Sequence, residues 1–304
     1  MVGLSSPLQI AVVGNCQARP IVESIKLLVP EVQVTGIAIV HLLSNSDEAQ
    51  FEDAFKKADL IFAQRVNDDY PCGFVRTGEL KRQYVGKVVC WPNLYFSGYN
   101  PELLYLRGAD RRPLRGPLSD YHNQTVLTAW QEGLPIDQAC ARCLDVAYNE
   151  IYGATPELSL KEFQAREAET DIRISEWMAE HLWKQRLFFT FNHPKKVLID
   201  QLARLMLERA EIAYREHPAA ENGATKEPLG QFSVPTNPWV MQRYSQYVER
   251  SDLVDGAEIE IKAGDHIVVG KKRQYQLREM IEAFYRVYDS VKEFPSLNRI
   301  PMAR

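Results

Sequence analysis

The sequence lacks any apolar run approaching the roughly 18 residues that a helix needs to cross a bilayer, so no membrane span is expected. It also lacks a basic residue before Arg19. The apolar stretch at residues 8–13 is too short for the hydrophobic region of a secretory leader, and a cytoplasmic chain is the expectation. Neither sign of charge dominates: Lys and Arg number 36 against 40 Asp and Glu, a net charge of −4. That balance argues against a dedicated nucleic-acid binder, which carries a strongly basic face, yet leaves room for a local phosphate pocket. Cysteine is scarce, five residues at irregular spacing, and an odd count of this kind makes no disulfide framework. Internal repeats and low-complexity tracts are absent as well.

What is present is the composition of an ordinary globular protein, with 45% hydrophobic and 25% charged residues in 304. The first hundred residues alternate in type. Residues 8–13 (LQIAVV) form an apolar run ended by Gly14, the pattern of a strand buried on both faces. Residues 21–29 have helical spacing and stop at Pro30; 32–40 are β-rich; 48–57 read as a short helix; 60–63 and 87–90 read as strands. This order predicts a parallel, Rossmann-like or SGNH-like α/β sheet covered by helices.

After about residue 118 the periodicity turns helical, with helices predicted over 120–131, 136–148, 159–169 and 172–185. Ser159 followed by Glu162 matches a capping box and marks a helix start. Residues 187–191 (LFFTF) read as a short strand, followed by a long helix over 194–214. The polar run 217–231 reads as a mobile loop. Beyond it come a helix near 239–249, β-like 259–261 and 267–269, and a final helix over 272–291. The expected organisation is an α/β core with helical insertions over 1–215 and a mainly helical C-terminal extension over 216–304.

The strongest local signal is Gly14-Asn15-Cys16-Gln17, between the first strand and a helix whose first turn suits Pro20. Cys16 near a helix N-terminus, with Arg19 close by, is expected to favour its thiolate. Gly14 allows a sharp turn and leaves room for a ligand against the backbone. The alternative is that Cys16 is a small buried hydrophobe. His193 stands in the same strand-to-helix position and could take a proton from the thiol or form an ion pair with it. The alternative is that His193 caps the helix, a role Asn192 could fill instead. Lys195 and Lys196 in the first turn are electrostatically unfavourable unless an anion such as phosphate binds there. Asn100, in a loop after the 87–90 strand, is a candidate oxyanion donor.

These blocks together resemble a known family. A strand ending in Gly14-Asn15-Cys16-Gln17, the Pro92-Asn93 to Gly98-Tyr99-Asn100-Pro101 segment and Phe191-Asn192-His193-Pro194 are similar to the WcbI-like proteins of capsular polysaccharide biosynthesis, over about residues 8–215. The resemblance implies a coenzyme A-binding acetyltransferase that O-acetylates a sugar or polysaccharide-precursor acceptor from acetyl-CoA, working among capsule-assembly partners. It implies Cys16, His193 and Asn100 as catalytic residues, and Gly14, Asn15, Gln17, Arg19, Asn192, Lys195 and Lys196 on the cofactor. A weaker similarity to SGNH hydrolases would make Cys16 the nucleophile of a thiol esterase. Thr190 stands where those enzymes carry the triad carboxylate, so His193 would need another orienting group, with Asp68 and Asp69 as candidates. A non-catalytic coenzyme A-binding scaffold is a third reading.

Other signals are weaker. Cys140 and Cys143 have redox spacing but lie in a helical pattern, and without a second such pair no metal site is expected. Cys72 and Cys90 read as structural. The arginines from Arg107 to Arg115 and the Lys271-Lys272-Arg273 cluster are alternative phosphate patches. Trp91, Tyr95, Phe96 and Tyr99 could stack on a ring or pack in the core.

Overall fold

The structure is a computed structural model, and it describes residues 7–107, 112–215, 227–247, 252–262 and 266–291. The chain begins with β1 (Gln9–Gly14), α1 (Ala18–Leu28), β2 (Gln33–Ile39), α2 (Glu48–Lys57), β3 (Leu60–Gln64), α3 (Thr77–Gln83) and β4 (Val88–Trp91). These strands form one four-stranded sheet in the order β2-β1-β3-β4, and every pairing is parallel. Ile10, Ala11, Val12 and Val13 are fully buried, as a strand covered on both faces must be. The register slips once, between Ile10 and Ala11, and the hydroxyl of Thr35, the residue skipped on β2, donates to the Ile10 carbonyl at 3.1 Å.

The chain continues through β5 (Leu103–Tyr105), β6 (Tyr121–Asn123), α4 (Gln124–Gln131), α5 (Ile136–Leu144), α6 (Val146–Asn149), α7 (Thr155–Glu167), α8 (Ser175–His181), β7 (Phe188–Thr190), β8 (His193–Pro194) and α9 (Lys196–Arg209). It ends with α10 (Pro238–Tyr244), β9 (Val254–Lys262), β10 (His266–Tyr275) and α11 (Leu277–Ser290). The expected α/β class, parallel sheet and helical cover are therefore present. No helix among the described residues is long and apolar enough to cross a membrane.

Several boundaries differ from the sequence reading. Residues 121–123 are a strand paired antiparallel with β5, not the first turn of a helix. The predicted 136–148 helix breaks at Asp145, whose carboxylate accepts from the Ala147 N–H at 2.9 Å and so caps a new helix. Ser159 does not start α7. It is buried inside that helix and its hydroxyl accepts the Ser97 N–H at 3.0 Å. The final helix starts at Leu277 rather than 272, because β10 carries the 266–275 stretch against β9. Of the predicted mobile loop, residues 217–226 lie outside the described residues.

The chain divides into two compact units, each assembled from separated segments: residues 1–94, 161–180 and 194–229, and residues 95–160, 181–193 and 230–304. This differs from a boundary at residue 215, because the C-terminal elements share a core with the middle of the chain. In the second unit Phe284, Val287 and Tyr288 of α11 pack with Val126 and Leu127 of α4 and with Val254 of β9. In the first, α1 packs on α9, and the Ser24 hydroxyl donates to Asp200 at 2.6 Å.

One buried carboxyl in the second unit gives the fold a pH signature. Burial raises the Glu102 carboxyl to about 7, although hydrogen bonds from Asn237 and Asn100 favour its charged form. A carboxyl raised on folding contributes stability that is complete below its unfolded value near 4.5 and is lost as pH rises through 7. Over that window the loss is on the order of 3 kcal/mol. The variant Glu102→Gln cannot ionise. Its melting temperature relative to wild type is therefore expected to rise steadily from pH 4.5 to 8 in thermal melts. Parallel curves for the two proteins would show that Glu102 is not buried as a neutral acid.

Candidate functional site

In the sheet order β2-β1-β3-β4 the chain leaves β1 for one side and later returns to the other. The C-terminal ends of β1 and β3 therefore flank a topological switch point, where open α/β sheets take ligands. Asn15, Cys16 and Gln17 follow β1 at this point, Gln64 ends β3, and Asn93 follows β4.

Four carboxamides tie these ends together. The Gln64 side-chain oxygen accepts the Asn15 backbone N–H at 2.9 Å, while its amide nitrogen donates to Asn93 at 3.1 Å and Gln17 at 3.3 Å. Asn15 donates to the same Asn93 oxygen at 3.3 Å. Gln17, fully buried, donates to the Leu94 carbonyl at 2.8 Å and accepts the Leu94 N–H at 3.3 Å. The Asn15 side-chain oxygen accepts the Gln17 N–H at 3.0 Å, an Asx turn that fixes the backbone around Cys16. Sequence reading named Asn15, Gln17 and the Asn93 loop but missed Gln64. The signal available was a single carboxamide closing the apolar run LIFAQ.

The chemistry of Cys16 differs from expectation. Helix α1 begins two residues later with Gln17 as its N-cap, so Cys16 is not in its first turn. Burial pushes the Cys16 thiol up to about 11, only partly offset by its own backbone N–H, and Arg19 is exposed. At neutral pH about one thiol in ten thousand is then ionised. Cys90 is held at about 11 and Cys143 at about 12, also by burial first of all. Gly14 serves packing rather than ligand approach: a Cβ there would lie 2.8 Å from the Trp91 ring.

His193 belongs to the second unit, and burial lowers its imidazole to about 4, so it is neutral at neutral pH. Its Nδ1 is buried without a hydrogen-bond partner among the described residues, and neither Asp68 nor Asp69 holds that atom. The Tyr121 ring meets the imidazole edge-on, with centroids 5.6 Å apart. Asn192 is occupied with positioning this neighbourhood. Its oxygen accepts from Tyr121 at 2.5 Å and Thr190 at 3.3 Å, and its amide donates to Tyr105 at 3.1 Å.

Other candidates have structural partners. The Asn100 amide donates to the Pro235 carbonyl at 2.6 Å and to Glu102, and its oxygen accepts from Arg186 at 3.1 Å, so it is not poised as an oxyanion donor. Lys196 pairs with Asp200 at 2.5 Å. The carboxylate of Glu227 accepts the Lys196 backbone N–H at 2.8 Å and supplies the negative charge that a phosphate was expected to bring. Lys195 is the N-cap residue of α9. Of the basic clusters, Arg111 lies outside the described residues, Arg115 pairs with Asp120 at 3.7 Å, and Lys272 and Arg273 pair with Asp255 and Glu279. That second cluster sits on β10, not at a helix start. Trp91, Phe96 and Tyr99 are core residues, and Tyr99 packs edge-on against Phe96 and Trp183.

The chain matches the family model described as the polysaccharide biosynthesis enzyme WcbI over residues 9–214. Among solved structures it is similar to a WcbI protein with a TM-score of 0.72 at 14% identity, covering 95% of this chain and 91% of that one. That protein is described as a novel polysaccharide biosynthesis enzyme in its native form without a disulfide bond between coenzyme A and one of its cysteines. No curated protein matches the sequence.

The carboxamide cluster predicts its own energetics. The variant Gln64→Leu leaves the Asn15 backbone N–H without its partner at a part-buried position and removes one of the two donors to the Asn93 oxygen. Chemical denaturation is expected to show a loss of about 1–3 kcal/mol with an unchanged m-value. A loss below about 0.5 kcal/mol would mean that water replaces Gln64 freely.

Proposed function

The chain belongs to the WcbI family of polysaccharide biosynthesis enzymes, and we propose that it binds coenzyme A at the Cys16 turn and moves an acetyl group to a sugar hydroxyl of a capsular polysaccharide precursor. The observation that carries this reading is the fixed turn at residues 14–17, set at the switch point of the parallel sheet. The similar structure supports the cofactor, since its description couples coenzyme A with a cysteine.

Coenzyme A, when bound, supplies the acetyl group as a thioester. His193 is the proposed base because burial keeps its imidazole neutral and ready to accept a proton. It takes the proton of the acceptor hydroxyl as that oxygen bonds to the acetyl carbon. It returns the proton to the sulfur released when the carbon–sulfur bond breaks. A thiol held near 11 is a poor nucleophile at neutral pH, which favours direct transfer over an acetyl-Cys16 intermediate and weighs against a thiol esterase. In this reading Cys16 shapes the pocket for the coenzyme's thiol end.

Two experiments test the proposal. Calorimetry is expected to detect coenzyme A binding to the wild-type protein and at least a tenfold weakening in Cys16→Phe, where the ring fills the turn. Mass spectrometry after acid quenching from acetyl-CoA should find no acetyl group on Cys16. Absence of binding at millimolar coenzyme A would remove the cofactor assignment, and a stable acetyl-Cys16 would replace direct transfer by a two-step route.

The base assignment predicts a pH profile. A histidine at about 4 loses its basic form only below that value, so kcat/KM should stay level down to about pH 5 and then fall. His193→Gln should lower kcat by about a hundredfold or more while leaving coenzyme A affinity unchanged. An acid limb centred near 6.5 that survives in His193→Gln would place the base elsewhere.

A further inference from the structure

The second unit contains a cavity of about 910 Å³ whose lining includes neither Cys16 nor His193. Its volume lies within the roughly 300–1,000 Å³ of small-molecule sites. Two kinds of surface face it. Met241, Leu277 and Met280 supply apolar wall, and Glu102, Asn123 and Gln276 supply carboxyl and carboxamide groups. No lysine or arginine lines it among the described residues, and its two ionisable carboxyls are Glu102 and Asp252. A phosphate, a nucleotide or a uronic acid would find no cation among those lining residues.

The polar groups are built in rather than incidental. Glu102 is buried, and its carboxylate oxygen accepts from Asn237 at 3.0 Å. Asn237 also donates to Asn149 at 2.7 Å, and its own oxygen caps α10 through the Trp239 N–H at 3.1 Å. Hydrogen-bonding groups fixed in this way suit a ligand with several hydroxyls. A purely apolar ligand would strip water from them without replacing its hydrogen bonds. A cation gains little, because burial keeps Glu102 largely neutral up to about pH 7. The methionine and leucine side chains match the C–H faces and methyl substituents of a sugar ring.

We propose that this cavity binds an uncharged saccharide. The inference depends on the cavity alone and not on the transfer proposed above.

Saturation-transfer NMR on the full-length protein tests it, with a panel of methyl glycosides of neutral hexoses, 6-deoxyhexoses and N-acetylhexosamines as probes. At least one neutral glycoside is expected to bind, and its uronic acid or 6-phosphate counterpart at least tenfold more weakly. Met241→Trp and Leu277→Trp each place a large ring in the cavity from a half-buried position. Either variant that melts like wild type should lose the saccharide signal while keeping coenzyme A affinity within about twofold. Absence of signal from every neutral glycoside, tighter binding of the anionic counterparts, or saccharide binding that survives both substitutions would overturn the proposal. Wild-type protein that binds saccharide but not coenzyme A would overturn the transferase reading alone.

Discussion

The cluster of carboxamides at the ends of β1, β3 and β4 is the constraint on which the Cys16 turn depends. A parallel sheet leaves its strand ends to diverge, and each end carries backbone groups that the ladder no longer satisfies. Here Gln64, Asn93, Gln17 and Asn15 satisfy them mutually, with neutral groups that need no counter-charge. Removing one member strands a donor or acceptor on the others, so the turn is held by the set rather than by any single bond. Gly14 adds a steric condition, since the Trp91 ring occupies the space its side chain would need.

Burial then sets the chemistry. The same desolvation that pushes Cys16 up to about 11 pulls His193 down to about 4, so both groups are neutral at neutral pH. A thiolate–imidazolium pair of the cysteine-protease kind is the opposite arrangement. Neutral groups suit a reaction whose donor already carries an activated thioester and whose acceptor needs only a proton removed. The second unit follows a related logic at Glu102, whose carboxyl burial raises to about 7 against hydrogen bonds that favour its charged form.

Electrostatic expectations from sequence failed for a common reason. Lys196 looked like a cation awaiting a phosphate, because two lysines in a first helical turn are unfavourable. Asp200 one turn later and Glu227 from a distant segment supply that negative charge instead. The i,i+4 spacing of Lys196 and Asp200 was visible in the chain, whereas the reach of Glu227 to the helix end was not. Asn100 likewise looked available until the chain folded Pro235 and Arg186 onto it.

Local pattern was sufficient wherever one physical rule dominated. Apolar runs ended by Gly14 or Trp91-Pro92 gave parallel strands and their order of appearance, because strands buried on both faces leave few other options. The Gly14-Asn15-Cys16-Gln17 turn was legible for the same reason, as the break between a continuous apolar run and a segment of helical period. Tertiary contact decided the rest. Residues 121–123 became a strand because β5 was there to pair with, and Ser159 left its capping role to accept a distant N–H. The division of the chain into two interleaved units, and the protonation states of Cys16, His193 and Glu102, follow from which atoms exclude water from which others. That is a property of the packed chain, and no window of sequence contains it.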